Sequence, residues 1–250
     1  MRFALLVCLI VFLSGCADSD SASEGAPPEL RTAYFLRITG SARVAGRKAG
    51  VGLEVLVRRS VEKVLARLPH RGRVRIKVQL DPAMVIPEVG VGGFADPSDG
   101  TVSLWLEQPL RAGTEIWISA TLAHELHHSS RIRTGPGYGS TLAEALVAEG
   151  LADHFVREVF PETPPLPWDN ALSSKQKAES WSKAQPLLDV PGGYDHSSWF
   201  LGGSGLPRWT GYTLGYEIVA AYLGQQRRAS AAVHVEAHRI IAPYARAGSQ

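Results

Sequence analysis

Residues 124–155 read HELHHSSRIRTGPGYGSTLAEALVAEGLADHF. The stretch holds four of the chain's eight histidines and three glutamates, Glu125, Glu144 and Glu149. A glycine-rich loop, TGPGYGS (134–140), divides it into two segments with helical apolar spacing. The first helix is expected from about Glu115 to Ser130 with Thr114 as its N-cap, the second from about Leu142 to Val159. On the first, His124 and His128 are four residues apart, so both rings leave one face, a turn apart. Two imidazoles so placed suit one zinc ion, and Glu125 beside them can reach a water on the metal as general base. Bound zinc brings the pKa of that water towards neutrality, which makes hydroxide available at ordinary pH. The plain alternative is a polar helix face with incidental histidines.

Zinc at a catalytic site needs a third protein ligand and an open position. The second helix offers Glu144 and Glu149, five residues apart and so poorly placed to share a face. Glu144 has a local role, because TLAE (141–144) is a capping box in which Thr141 caps and Glu144 reaches back. Glu149 lies mid-helix before Gly150, whose small size lets another helix approach. Glu149 is therefore the expected third ligand and Glu144 the alternative. Asp153, a turn further on, is placed to accept the free N–H of a ligating histidine, with a surface aspartate as its plain reading. His127 sits about 100° round the helix from the ligand face and reads as a surface residue or a support to the ligands. His154 reads as partly exposed. An oxyanion that develops at a carbonyl needs a donor. Tyr212 and His196 lead the candidates, followed by Tyr138 and Tyr216, each with simple packing as its alternative.

Outward from this pair, residues 51–68 have the spacing of an amphipathic helix, and VRIKVQL (74–80) alternates as a half-buried strand. VGVGGFADPSDGTVSLWLE reads as a hairpin with arms at 89–95 and 101–107 about the turn DPSDG. Its outer arm, taken as 101–107, is placed to pair with an extended substrate. Trp105 reads as core, whereas Trp168, Trp199 and Trp209 either line a cleft or pack under loops. Further helices are expected at about 173–188, 212–226 and 230–244, and the glycine-rich segment 191–209 shows no periodicity. A helix, then strands, then helices argues an α+β fold with one domain over 31–250.

HExxH, twenty residues, then Glu-x-x-x-Asp is similar to the gluzincin metallopeptidases of the thermolysin and aminopeptidase type. More closely, HELHH, TLAEALVAEGLADHF, PLPW, WFLG and GYTLGYEIVAAYL, in that order over about 115–225, resemble a bacterial family of predicted zinc-dependent proteases long known only as a domain of unknown function. The resemblance implies a zincin-like fold, one zinc ion and hydrolysis of peptide bonds in a peptide or protein substrate. It implies little about which substrate.

The rest of the composition is that of a globular chain, 45% hydrophobic and 20% charged, with a net charge of +2. Its basic residues are scattered, which argues against a nucleic-acid partner. Met1-Arg2, an apolar run of about eleven residues and a small-residue site make a secretory signal over 1–15. LSGC (13–16) resembles the lipobox of bacterial lipoproteins, which implies cleavage before Cys16 and its acylation. Residues 16–30 then form a flexible tether. These features predict a lipid-anchored protein of the bacterial envelope, facing the periplasm or the exterior, and Ala17 favours the outer membrane. A zinc amidase of cell-wall peptides and a non-catalytic lipoprotein are the rival readings.

Overall fold

The computed structural model describes residues 34–70 and 72–247, so the expected signal, Cys16 and the tether lie outside the described residues. Strand β1 (Tyr34–Ile38) leads into helix α1 (Gly40–Lys48), where the Thr39 side chain caps by accepting from the Ala42 amide. Helix α2 (Leu53–Leu65) follows, with Leu53, Val57, Val61 and Val64 on its buried face. Strand β2 (Val74–Leu80) returns parallel to β1, with Tyr34 opposite Val74 and Ile38 opposite Val78. Neither β1 nor α1 was expected from the sequence.

The hairpin forms as β3 (Val91–Ala95) and β4 (Val102–Leu106), closed by Asp96–Gly100 with the Asp96 amide bonded to the Thr101 carbonyl. Gly100 takes φ 71°, the left-handed turn position that favours glycine. The sheet order is β1-β2-β4-β3. This corrects the expected substrate edge. β4 pairs with β2 on one side and β3 on the other, so the free edge of the hairpin is β3. Alternation sends Ile76, Val78, Leu104 and Leu106 to one face, where helices cover them, while Arg75 and Lys77 face outwards. Trp105 shares the outer face, half-buried, and is not core.

The covering helix is α3 (Thr114–Thr134), which lies against β3, β4, α2 and α4 (Leu142–Val159). Gly113, at φ 78°, occupies its N-cap, and Thr114 is the first helical residue, fully buried, with no partner for its hydroxyl among the described residues. The helix also runs a turn past its expected end and stops at Gly135. α4 has the expected bounds, and the capping box of Thr141 and Glu144 is formed in full.

Three further helices, α5 (Ser174–Ala184), α6 (His196–Leu201) and α7 (Thr210–Leu223), precede the C-terminal α8 (Ala237–Ala247). α6 is too short to show a period in sequence. Asp195 caps it by accepting from the Ser198 amide at 2.9 Å. The most extensive helix contact is α4 on α7, where Gly150 meets Gly215. A Cβ at Gly150 would lie 2.1 Å from the Gly215 carbonyl oxygen, so the two backbones touch with no room for a side chain.

One core runs from Tyr34 to Ile241, beside a small second cluster of Leu166, Trp168 and Trp209. Among the described residues no helix is long and apolar enough to cross a membrane. The architecture, a small sheet and a mainly helical remainder, is α+β and compatible with a zincin-like fold.

Candidate metal centre and active site

α3 presents His124 and His128 towards α4, which returns Glu149 and Asp153. The Nε2 atoms of His124 and His128 are 3.0 Å apart. Glu149 Oε2 lies 3.0 Å from His124 Nε2 and 3.5 Å from His128 Nε2. Among the described residues, these three are the cluster of histidines and acids whose ligand atoms converge, all within 4.8 Å of one another.

The surroundings leave two of the three atoms, His124 Nε2 and Glu149 Oε2, as acceptors. His124 Nδ1 is 2.9 Å from Asp153 Oδ1, which accepts its N–H and leaves Nε2 as a bare lone pair. Tyr138 donates its hydroxyl to Glu149 Oε1 at 2.7 Å, so Oε2 is the free carboxylate oxygen. Two acceptors, His124 Nε2 and Glu149 Oε2, then face each other in a buried place beside His128, an arrangement that a cation or an added proton relieves. The titration behaviour says the same. Burial works against charging His124, yet Asp153 and Glu149 outweigh it and hold its pKa well above the usual value. Burial would raise the pKa of Glu149, but His128 and His124 hold it well below the carboxylate range. Two imidazole nitrogens and one carboxylate oxygen, with room for more, are the donor set of a catalytic zinc. The residues present therefore fit one such ion.

Glu125 lies beside the cluster and outside it. Its side chain rests against Gly93 of β3, where a Cβ would come 2.5 Å from Glu125 Cγ. Burial raises its pKa, the nearby charge of Glu149 adds to this, and His124 and His128 oppose it.

A family model described as "Predicted Zn-dependent protease (DUF2268)" matches residues 55–242. The chain belongs to this family. The match contains His124, Glu125, His128, Tyr138, Glu149, Asp153, Trp168, His196 and Tyr212. Two curated proteins of Bacillus subtilis (strain 168) are similar. "Uncharacterized protein YjfC" is 30% identical over 137 residues, 50% of this chain and 46% of the relative. "Uncharacterized protein YjaZ" is 30% identical over 132 residues, 51% of this chain and 49% of the relative. The chain thus spans about half the length of the curated relatives it matches. No solved structure matches it.

Within this predicted Zn-dependent protease chain, the remaining residues sort by position. Glu144 is spent on its capping box and takes no part in the cluster. His127 is not a surface residue. It is fully buried against Phe155, with ring centroids 5.4 Å apart, and neither nitrogen finds a hydrogen-bond partner among the described residues. α3 has no solvent face at that point. His154 is partly exposed, stacks on Tyr216 at 4.0 Å and bonds the Tyr216 carbonyl, which takes both away from the metal centre. Tyr212 stacks on Trp168 at 4.6 Å and lines one cavity with His124 and Glu125. Burial, with the charges of Glu149, Asp153 and Glu125, holds its pKa well above 10, so it keeps its proton. His196 is exposed at the start of α6, 6.0 Å from Tyr138 by ring centroids, and does not line that cavity.

Two contacts were not legible in the sequence. Tyr138, weighed there as an oxyanion donor, instead grips Glu149. Trp168 donates its indole N–H to Asp153 Oδ2 at 2.6 Å, completing a chain from Trp168 through Asp153 to His124. The PLPW segment was visible as a motif, but nothing local shows where its indole points.

Proposed function

We propose that this protein is a zinc-dependent metallopeptidase in which His124, His128 and Glu149 hold one zinc ion and Glu125 is the general base. The observation that supports this best is the convergence of two imidazole nitrogens and one carboxylate oxygen, with a second acidic group, Glu125, kept beside them and outside the ligand set. A site that only stored a metal would have no use for it. Zinc bound there would polarise a peptide carbonyl and lower the pKa of water. Glu125 takes a proton from the attacking water and passes it to the leaving amine nitrogen. Its raised proton affinity suits both halves of that transfer. Tyr212, which keeps its proton and shares a cavity with Glu125, donates its hydroxyl to the scissile carbonyl oxygen as charge builds there. His196, stacked on Phe200 and outside that cavity, is the less well placed of the two donors.

The substrate main chain lies along β3. The Val91 carbonyl is already taken by the Ile86 amide at 3.1 Å, so the open part of the edge begins near Gly93, beside Glu125. An extended peptide added there passes the general base.

Glu125→Gln tests the reading. Zinc content should stay near one ion per chain while hydrolysis falls by roughly 10²–10⁴-fold. Wild-type protein that carries zinc yet cuts nothing in a broad peptide library would return the non-catalytic lipoprotein reading. Cleavage confined to cell-wall fragments would make it an amidase.

The LSGC segment supports a lipid anchor at Cys16 and a place in the bacterial envelope. Palmitate labelling in the native host should be lost in Cys16→Ser and kept in Cys8→Ser.

A further inference from the structure

A cavity of about 450 Å3 opens from the metal centre on the side of His124 and Glu125 alone. His128, Glu149, Tyr138 and His196 do not line it. Its far walls are Ile86, Trp117, Val156, Leu166, Leu201 and Trp209. All but Val156, which is part of the main core, belong to the small second hydrophobic cluster or pack against it. The volume has room for about fifteen waters at ~30 Å3 each, far more than a small side chain displaces, and lies in the range of ~300–1,000 Å3 usual for ligand sites.

Apart from Glu125 at the metal centre, the charged groups that line the cavity, Asp153 and Arg208, are already engaged. Asp153 is taken by His124 and Trp168. Arg208, the lining arginine, bonds Glu88 at 2.5 Å and stacks on Trp209, its guanidinium carbon 3.9 Å from the ring centroid. An acidic side chain entering this space would shed water, meet no free cation and face the Glu125 carboxylate, whereas an apolar one would meet carbon walls. Trp209 itself holds φ 71°, a strained conformation for a bulky residue, and the strain sets its ring on the cavity wall.

We infer that this cavity is a specificity pocket for a large apolar side chain, aromatic or leucine-like, on the residue next to the scissile bond. The substrate class is therefore apolar peptide segments of the kind exposed in unfolded protein. The scissile-bond part rests on the peptidase reading above; the pocket does not.

Binding separates the two. Calorimetry on the zinc-loaded Glu125→Gln chain would compare N-acetyl amides of phenylalanine, leucine, glycine and glutamate. Phenylalanine and leucine amides should bind at least about tenfold more tightly than the other two. Ala120→Phe, which pushes a ring into the cavity from α3, should erase that preference. Ile86→Ala, a milder change on the opposite wall, should shift the preference from leucine towards tryptophan if the first variant does not fold. Equal affinity for all four amides overturns the pocket. Cleavage of a peptide library with no apolar preference on either side of the cut also overturns it and leaves the peptidase reading standing. A binding preference without any cleavage keeps the pocket and removes the peptidase.

Discussion

Glu149 accepts the Tyr138 hydroxyl on its Oε1, which leaves Oε2 facing the imidazole nitrogens of His124 and His128. Tyr138→Phe keeps the ring beside His128 and removes only the donor, leaving the carboxylate free to rotate. Zinc affinity, read by competition with a chelator, should fall by about 10–100-fold, the usual effect of losing a support behind a ligand. Asp153→Asn should act on the same scale from the other side, because the neutral amide fixes the His124 tautomer less firmly. An unchanged affinity in Tyr138→Phe would remove Tyr138 from the centre. The contrast between these residues also shows what one sequence can carry. His124, Glu125 and His128 follow from the pitch of a single helix. Glu149 and Asp153 follow from the pitch of the next, because both are four residues apart on one face. Tyr138 and Trp168 arrive from loops, where no period constrains the direction of a side chain. His127 was misread because an angle round a helix says nothing about what surrounds the helix.

Between elements, the decisive contact is the crossing of α4 and α7 at Gly150 and Gly215. Gly150 follows Glu149 directly, so the spacing of these two backbones sets how far Glu149 stands from α3. Gly150→Ala places a methyl into the Gly215 carbonyl and forces the helices apart. The expected cost is about 1–3 kcal/mol in denaturant unfolding, together with weakened zinc binding. Gly40→Ala is the control. A Cβ there meets nothing within 4 Å, and the helix gains propensity, so stability should hold or rise slightly. Elements with internal punctuation were legible: the capping box opens α4 where expected, and the Asp96–Gly100 turn closes the hairpin. Which hairpin arm lies at the edge was not, because that depends on which arm β2 chooses, and β2 is distant in sequence. β1 escaped notice because five residues after a polar tether carry too little pattern to read, and α6 because six residues make less than two turns.

At the scale of the molecule, the ion would join two helices that the chain otherwise holds by packing and by the His124–Asp153 hydrogen bond, since two ligands stand on α3 and one on α4. Such a ligand stabilises the folded state alone, by about 4 kcal/mol when free zinc is 1,000-fold above its Kd. For a chain of this size, that corresponds to a Tm lower by roughly 10 °C after chelation. His128→Ala should show little further loss with chelator. Acid acts on this molecule by a second, separate route through His127. Burial first, then the charges of His128 and Arg131, hold the pKa of this ring well below 6.5. The unfolded chain therefore takes up a proton near pH 6.5 while the folded chain does not. The stability tied to His127 is complete above that pH and declines as pH falls below it, by about 1.4 kcal/mol per pH unit, until the folded ring also charges. His127→Phe replaces the titrating ring with one that packs on Phe155 and takes up no proton. In chelator, so that metal release contributes equally to neither protein, denaturant unfolding at pH 7.5, 6 and 5 should show the variant losing less stability than wild type across the acid step. Parallel losses in the two proteins would mean that the ring at 127 is already charged or solvated in the folded chain, against its burial between α3 and α4.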